Sequence, residues 1–315
     1  MVRVSPHGVC AWSIKARGQW AFFLTLPLPG NKTAPMNENI REIEPAESAP
    51  AAKEENKESL GSFAWFCVKL VIIVLIFRSF FFTSFNIPSE SMMPRLLVGD
   101  YLFAAKWPYG YSYRSLPFNA PLLPESRILA DTPDPGDIVI FEHPIDGSDY
   151  IKRVVGVPGD TIQLVNGVLH INEQPVGFEQ VEDFVLPIRP DGRCRYARFA
   201  AREDDGTFVC RYPQFRETLP NGVSYNILDF GLEPQDVTAP VVVPEGHLFL
   251  MGDNRDNSLD SRFPAEAGRG IGLVPVDNVV AKASLMYFST DGNAEWVKPW
   301  TWFTAARWSR MFRGI

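Results

Sequence analysis

The sequence predicts a mainly β protein, with a single N-terminal transmembrane helix followed by a β-rich domain that carries a smaller inserted lobe. Three observations support this fold class: a long apolar run at 63–85, short strand-like runs from Asp100 onward, and 27 prolines with 23 glycines among 315 residues. The net charge of −7 argues against a nucleic-acid partner, because a protein that neutralises phosphates needs a basic face.

The apolar run FAWFCVKLVIIVLIFRSFFFTSF at 63–85 is long enough to cross a bilayer core, which takes about 20 residues. Lys69 and Arg78 interrupt it, each near enough to one end for its side chain to reach the interface. On a helix these two charges fall on opposite faces, whereas a helix lying in the interface needs one polar face. We therefore predict a spanning helix rather than an interfacial one.

The region before the span is charged and poor in large apolar residues, so residues 1–62 are predicted to form a disordered tail on the cytoplasmic side. Residues 1–35 differ in character from the acidic stretch that Met36 opens. We interpret residues 1–35 as an extension of the gene model, with an additional amphipathic anchor as the alternative.

The main domain is predicted over 86–295, with a less regular inserted lobe at about 173–240. Strands are expected where β-branched and aromatic residues are bounded by Gly, Pro or Asp, and Asn166-Gly167 is typical of a type I′ hairpin turn. The predicted strands lie in DYLFAAKW (100–107), GDIVIFEH (136–143), YIKRVVGV (150–157) and TIQLVNGVLHIN (161–172).

Two further features each allow two interpretations. Cys194 and Cys210, both in the lobe, form a disulfide if their geometry and an oxidising compartment allow it, which the sequence alone does not establish. The C-terminal segment 296–315 is aromatic, basic and amphipathic, and either lies on a membrane surface or docks on the domain.

The residues that carry chemistry fall in three segments. NIPSESMMPRL at 86–96 places Ser89 and Ser91 two apart, so that both face one side of an extended chain. It lacks the Gly-x-Ser-x-Gly pattern, and a lysine three residues after Ser91 is also missing. Lys152, among apolar neighbours in YIKRVVGVPGD, is the better candidate base than any histidine, because burial makes a lysine neutral. No cysteine pair has metal-ligand spacing, and we expect no cofactor.

These segments, with PGDIVIF at 135–141 and GDNRDNSLDSR at 252–262, resemble bacterial type I signal peptidase, a membrane-bound Ser/Lys endopeptidase. They occur in the family's order after a membrane span. The resemblance implies a nucleophile at Ser91, a general base at Lys152, an oxyanion-stabilising hydroxyl at Ser89 and a lysine-orienting hydroxyl at Ser258. It also implies ion pairs between Arg153 and Asp253 and between Asp260 and Arg262, and substrate pockets formed by Ile87, Pro88, Met92, Leu96, Tyr150 and Ile151.

The resemblance further implies that exported preproteins are cut after small residues of the Ala-x-Ala type. It implies a plasma-membrane protein close to the export translocon and to lipid, with its domain on the periplasmic side. Two positions depart from the family pattern: Arg95 stands where Thr is usual, and Glu90 where Gly is common. A membrane-anchored, non-enzymatic binding protein is the alternative. Self-cleaving repressors share the Ser/Lys chemistry but are soluble and carry a DNA-binding helix-turn-helix, a feature this sequence lacks.

Overall fold

The computed structural model describes residues 60–116, 120–124, 126–188, 193–294 and 297–315. The predicted tail up to residue 59 and the proposed start at Met36 lie outside these residues. Within them the fold is mainly β with one N-terminal apolar helix, which confirms the predicted class.

Helix α1 (Leu60–Phe80) is the one helix among the described residues that is long and apolar enough to cross a membrane. It begins three residues earlier than predicted and ends five residues earlier. The early end has a simple cause: strand β1 (Phe82–Asn86) follows at once and pairs antiparallel with β2 (Asp100–Ala105), from Phe82 opposite Ala105 to Asn86 opposite Tyr101. The end of β2 at Ala105 therefore lies next to the end of the helix, and the segment between the two strands lies at the other end of the hairpin.

The largest sheet has the strand order β1-β2-β15-β3-β4-β13-β14, with β16 paired to β15, and every pairing is antiparallel. Two of its inner strands, β3 and the second half of β4, are buried on both faces and carry Val, Ile and Phe there, as such strands require. The bounds of its remaining members are β3 (Ile138–Glu142), β4 (Asp149–Gly156), β13 (His247–Met251), β14 (Val274–Pro275), β15 (Val279–Ser289) and β16 (Arg313–Gly314).

Two smaller sheets complete the β structure of the described residues. One has the order β12-β5-β6-β7, and its β5–β6 hairpin turns at Asn166 and Gly167, both with positive φ as the Asn-Gly prediction requires. The other has β10 at its centre, beside β8, β9 and β11. The bounds are β5 (Thr161–Val165), β6 (Val168–Ile171), β7 (Gln174–Pro175), β8 (Gly177–Pro187), β9 (Ala200–Arg202), β10 (Phe208–Thr218), β11 (Ser224–Leu228) and β12 (Val241–Val242).

A disulfide joins Cys194 to Cys210 in the sheet centred on β10. The two cysteines pack with Met93 and Leu97, which follow β1, and with Phe230. A separate apolar cluster joins Met92 and Leu96 to Ile140 of β3 and other buried residues of the large sheet. The segment between β1 and β2 thus packs against two apolar clusters, one that contains Met92 and Leu96 and one that contains Met93 and Leu97.

The C-terminal segment forms a short helix, α2 (Trp300–Thr304), a single 3₁₀ turn and then β16, which adds to the edge of the bent strand β15. Its large aromatic side chains are exposed: Trp300, Trp302, Phe303, Trp308 and Phe312. Arg307 and Arg310 instead point inward, toward Asp100 at the start of β2. Whether the exposed aromatic face meets a membrane stays a prediction.

Candidate active site

The turn that carries Ser91 is held in place by contacts on both sides. Ser91 is only 8% exposed. Met92 and Leu96 beside it are fully buried, and the N–H of Leu96 donates to the Met92 carbonyl at 2.8 Å. The Ser91 carbonyl accepts a hydrogen bond of 3.0 Å from the N–H of Asn254. Its backbone is therefore fixed, and the hydroxyl is presented in one direction.

Lys152 lies on β4, between β3 and β13, and is 4% exposed. Its Nζ is 2.8 Å from Oγ of Ser91 and 5.8 Å from the centre of the Tyr150 ring. Burial lowers the pKa of Lys152 to about 8, although the charges of Asp260 and Asp253 act to raise it. A lysine with this pKa has a substantial neutral fraction near pH 8, and in that form it can accept a proton from a hydroxyl.

The second serine lies beside the first. Oγ of Ser89 is 3.3 Å from Oγ of Ser91, so the two hydroxyls lie close together, although the chain here is a bend that leads into a turn and not the extended strand that the prediction assumed. Ser89 is exposed at the mouth of the site. This places a second hydroxyl donor beside Ser91 Oγ, close to where the carbonyl oxygen of a bound peptide would gain negative charge on attack.

Ser258 comes from the loop after β13 and is buried close to the pair. Among the described residues its Oγ has no hydrogen-bond partner of standard geometry, Lys152 included. The hydroxyl does lie near enough to Asp260 to favour the charged carboxylate. The role expected for Ser258, orienting the lysine, thus stays a prediction.

Both expected ion pairs are present in the same loop. Nε and Nη2 of Arg153 each donate to the Asp253 carboxylate at 2.7 Å, and Nε of Arg262 donates to Asp260 at 2.9 Å. Burial acts to raise the pKa of Asp260, but the Arg262 charge and the hydrogen bonds from Arg262, Gly252 and Ser258 together outweigh it, and the pKa ends below its ordinary value. The loop is therefore fixed to β4 and to itself by charged contacts shielded from water.

The cleft at the site has a volume of about 530 Å³. Of the residues predicted to contact substrate, it is lined by Pro88, Tyr150 and Ile151, together with Ser89, Ser91, Lys152 and Ser258. Ile87, Met92 and Leu96 are buried in the apolar cluster behind it rather than on its walls. A larger cavity of about 820 Å³, bordered by Arg95 and Arg310, includes neither Ser91 nor Lys152.

Some residues that build the site were not singled out from the sequence. A Cβ on Gly252 would lie 2.5 Å from the Ser91 carbonyl oxygen, so only glycine lets the loop approach so closely. Nδ2 of Asn254 donates to the Glu90 carbonyl at 3.1 Å, and Arg255 forms a buried pair with Glu217. The GDNRDNSLDSR motif contains Gly252, Asn254 and Arg255, so the motif itself could have indicated them. Nothing in the sequence around Glu217 indicates that it pairs with Arg255.

Several known proteins are similar in sequence to this chain. A family model described as signal peptidase, peptidase S26, matches residues 60–288. The chain belongs to this signal peptidase family. Signal peptidase I of Rickettsia prowazekii is 36% identical over 282 residues, which cover 82% of this chain and 94% of that protein. Signal peptidase I of Rickettsia conorii is 36% identical over 285 residues, covering 82% and 93%.

Among solved structures, the crystal structure of a signal peptidase I from Enterococcus faecalis is 24% identical, with a TM-score of 0.26, and covers 49% of this chain and 98% of its own. Membership in the family makes the present signal peptidase a serine endopeptidase that acts on preproteins bearing signal peptides. Together with helix α1, it also indicates an inner-membrane protein. Within the described residues, no group of three or more His, Cys, Asp or Glu side chains is arranged to hold a metal ion.

Proposed function

We propose that this signal peptidase hydrolyses the peptide bond with Ser91 as nucleophile and Lys152 as general base, and cuts after Ala-x-Ala-type sites. The observation that carries the proposal is the 2.8 Å separation of Lys152 Nζ and Ser91 Oγ in a site that lowers the pKa of the lysine. At that distance a neutral Lys152 accepts the hydroxyl proton as Oγ attacks the scissile carbonyl carbon.

In the first half of the reaction, a bond forms between Ser91 Oγ and the carbonyl carbon, and the carbonyl oxygen becomes an oxyanion. The Ser89 hydroxyl and the Ser91 N–H stabilise that charge, which is the role of an oxyanion hole. When the C–N bond breaks, the protonated Lys152 returns its proton to the leaving amine. The product is an acyl-enzyme on Ser91 and a released mature N-terminus.

In the second half, Lys152 takes a proton from a water molecule, which attacks the acyl carbon. The tetrahedral intermediate collapses, Ser91 Oγ recovers the proton through Lys152, and the signal peptide leaves with a new carboxylate. Ser258 keeps Lys152 oriented as the first half of the reaction passes into the second. The apolar walls at Pro88, Tyr150 and Ile151 favour small apolar side chains next to the scissile bond, which supports the Ala-x-Ala preference.

The same proposal assigns the membrane arrangement. Helix α1 spans the inner membrane with the N-terminus cytoplasmic, and the catalytic domain lies on the periplasmic side, near the translocon from which preproteins emerge. Phe80 and Phe81 at the helix end and Trp107 beside them are exposed, and Phe82 packs edge-on against Trp107 at 4.8 Å. An aromatic group at that level suits contact with lipid headgroups.

The test incubates the detergent-solubilised protein with a preprotein bearing an Ala-x-Ala site and locates the cut by mass spectrometry. We expect cleavage directly after the site, abolished by Ser91→Ala and by Lys152→Ala. Ser84→Ala and Lys282→Ala remove a serine and a lysine outside the cleft and are expected to keep activity. Cleavage that survives Lys152→Ala would show that another group is the base. A preprotein with Phe in place of the final Ala is expected to remain uncut, and its efficient cleavage would refute the specificity.

A further inference from the structure

We propose that the inward-facing side chains of the C-terminal segment are positioning residues for Ser91, with Arg310 the principal one through Asp100, and that the exposed side chains of Trp308 and Arg313 take no part in this. This inference rests on the proposed role of Ser91. It starts from a buried carboxylate at the start of β2, on the far side of the serine turn from the cleft.

Asp100 is 0% exposed, so its charge requires partners. Its Oδ2 accepts from the N–H of Leu97 at 2.7 Å and from Nη2 of Arg310 at 2.6 Å, and its Oδ1 accepts from the Ser289 hydroxyl at 2.6 Å. Leu97 ends the turn that Ser91 begins. The carboxylate therefore joins the turn directly to the C-terminal segment.

The two segments also hold each other reciprocally. Nη2 of Arg310 donates to the Arg95 carbonyl at 2.9 Å, while Nη2 of Arg95 donates to the Gly314 carbonyl at 2.8 Å. Arg307 donates to the Val98 carbonyl at 2.5 Å. Three arginines thus connect the turn and the C-terminus.

Backbone contacts fix the C-terminal segment to β15, and its side chains contact the turn that carries Ser91. Gly314 of β16 pairs with Leu285 of β15, and the N–H of Ile315 donates to the Ser284 carbonyl at 3.0 Å. The Ile315 side chain packs against the apolar cluster that contains Met92 and Leu96. The C-terminal segment is therefore connected through packed side chains to the cluster that contains Met92, the residue next to Ser91. A shift of Arg310 then displaces the Ser91 hydroxyl relative to Lys152.

An alternative explanation of this segment is that it only anchors the domain to lipid through its exposed aromatic side chains. The arginines separate the two explanations, because they face Asp100 and the turn, whereas Trp308 and Phe312 face solvent. A short soluble peptide substrate in detergent removes the need for lipid, so that any remaining effect of Arg310 belongs to the site itself.

The experiment measures kcat and KM on such a peptide for wild type, Arg310→Ala, Arg310→Lys and the control Arg313→Ala, an exposed arginine of β16. We expect Arg310→Ala to lower kcat by roughly 10–100-fold with KM within about twofold of wild type, since displacement of a reacting atom by about 1 Å costs that much. Arg310→Lys should recover part of the loss, and both Arg313→Ala and Trp308→Ala should match wild type.

If Arg310→Ala does not fold, because it removes the nearest charged partner of the buried Asp100, the double variant Arg310→Gln with Asp100→Asn replaces it. This pair carries no buried charge, and its kcat is still expected to fall. A folded Arg310→Ala or double variant with wild-type kcat would overturn the proposal, as would an equal loss in Trp308→Ala. Failure of the Ser91 mechanism gives a different result, since Ser91→Ala would then keep its activity.

Discussion

At the scale of a single residue, the burial of the proposed base Lys152 lowers the stability of the fold. Lys152 is buried, and its pKa falls from 10.5 to about 8 because water is withdrawn from the ammonium group. Each unit of that shift corresponds to about 1.4 kcal/mol, so the protonated lysine costs about 3 kcal/mol of folding stability. The same desolvation makes the amine a usable base, and catalytic competence and stability therefore oppose each other here.

Lys152→Met is accordingly expected to stabilise the fold while abolishing cleavage. The folded pKa lies below the unfolded one, so the unfolded state binds more protons between about pH 8 and 10.5, and wild-type stability rises with pH through that window. The gain from methionine is therefore largest below pH 8, roughly 1–3 kcal/mol after the lost bond to Ser91, and shrinks toward pH 10.5.

Thermal unfolding in detergent at pH 7 and pH 10 measures this difference. The more exposed Lys282, replaced by methionine, serves as the control and should shift stability by less than about 1 kcal/mol at either pH. A Lys152→Met protein that is less stable than wild type at pH 7 would contradict the argument.

The contact between Ser91 and Lys152, at 2.8 Å, could be expected from the sequence because the proposed chemistry constrains the residues around each of them. Two serines two apart share a side, and a lysine among β-branched neighbours is buried. The sequence could not show that Ile87 and Leu96 lie behind the cleft. Their position depends on which face of the turn meets β3, and that is decided by the tertiary pairing.

At the scale of elements, the active-site loop is attached to the sheet by a bidentate ion pair. Arg153 of β4 binds Asp253 through two nitrogens, donates to the Gly136 carbonyl at 2.7 Å and stacks 4.0 Å from the Tyr225 ring. The Asp253 carbonyl in turn accepts from the N–H of Leu228 at 2.8 Å. One pair thus connects β4, the loop after β13 and β11.

Asp253→Leu should destabilise the protein by roughly 3–5 kcal/mol, because it leaves the Arg153 charge buried without a partner. The double variant Arg153→Met with Asp253→Leu should recover much of that loss. Denaturant unfolding gives both values, and Glu203→Ala, which breaks an exposed pair with Arg211, should cost less than about 1 kcal/mol. Equal losses in the single and double variants would show that the charge is not what matters.

Strand predictions succeeded where local composition decides the structure, as in β3, β4 and the β5–β6 hairpin. The end of α1 was placed too late because FFFTSF is as apolar as a helix that enters lipid, and only pairing with β2 shows that part of it is a strand. The inward orientation of Arg307 and Arg310 was equally hidden, since it depends on Asp100, about two hundred residues earlier in the chain.

At the scale of the whole molecule, the orientation across the membrane is open to a direct test. In a background with Cys10→Ser and Cys67→Ser, single cysteines are introduced as Lys57→Cys before the helix and Asp204→Cys on the exposed surface of the domain. A membrane-impermeant maleimide should label Asp204→Cys in intact spheroplasts. It should label Lys57→Cys only after the membrane is opened, and the reverse pattern would place the domain in the cytoplasm.

The position of β15 has a consequence for the biosynthesis of the enzyme. This strand lies between β2 and β3 in the sheet, although it is the last long strand to be synthesised. Until β15 leaves the ribosome, the β1–β2 hairpin is not connected through the sheet to β4, the strand that bears Lys152. Contacts between residues so far apart in sequence also form slowly. A nascent chain therefore emerges with its serine and lysine unassembled. We therefore expect the protein to become able to cut only after almost all of its chain has been synthesised.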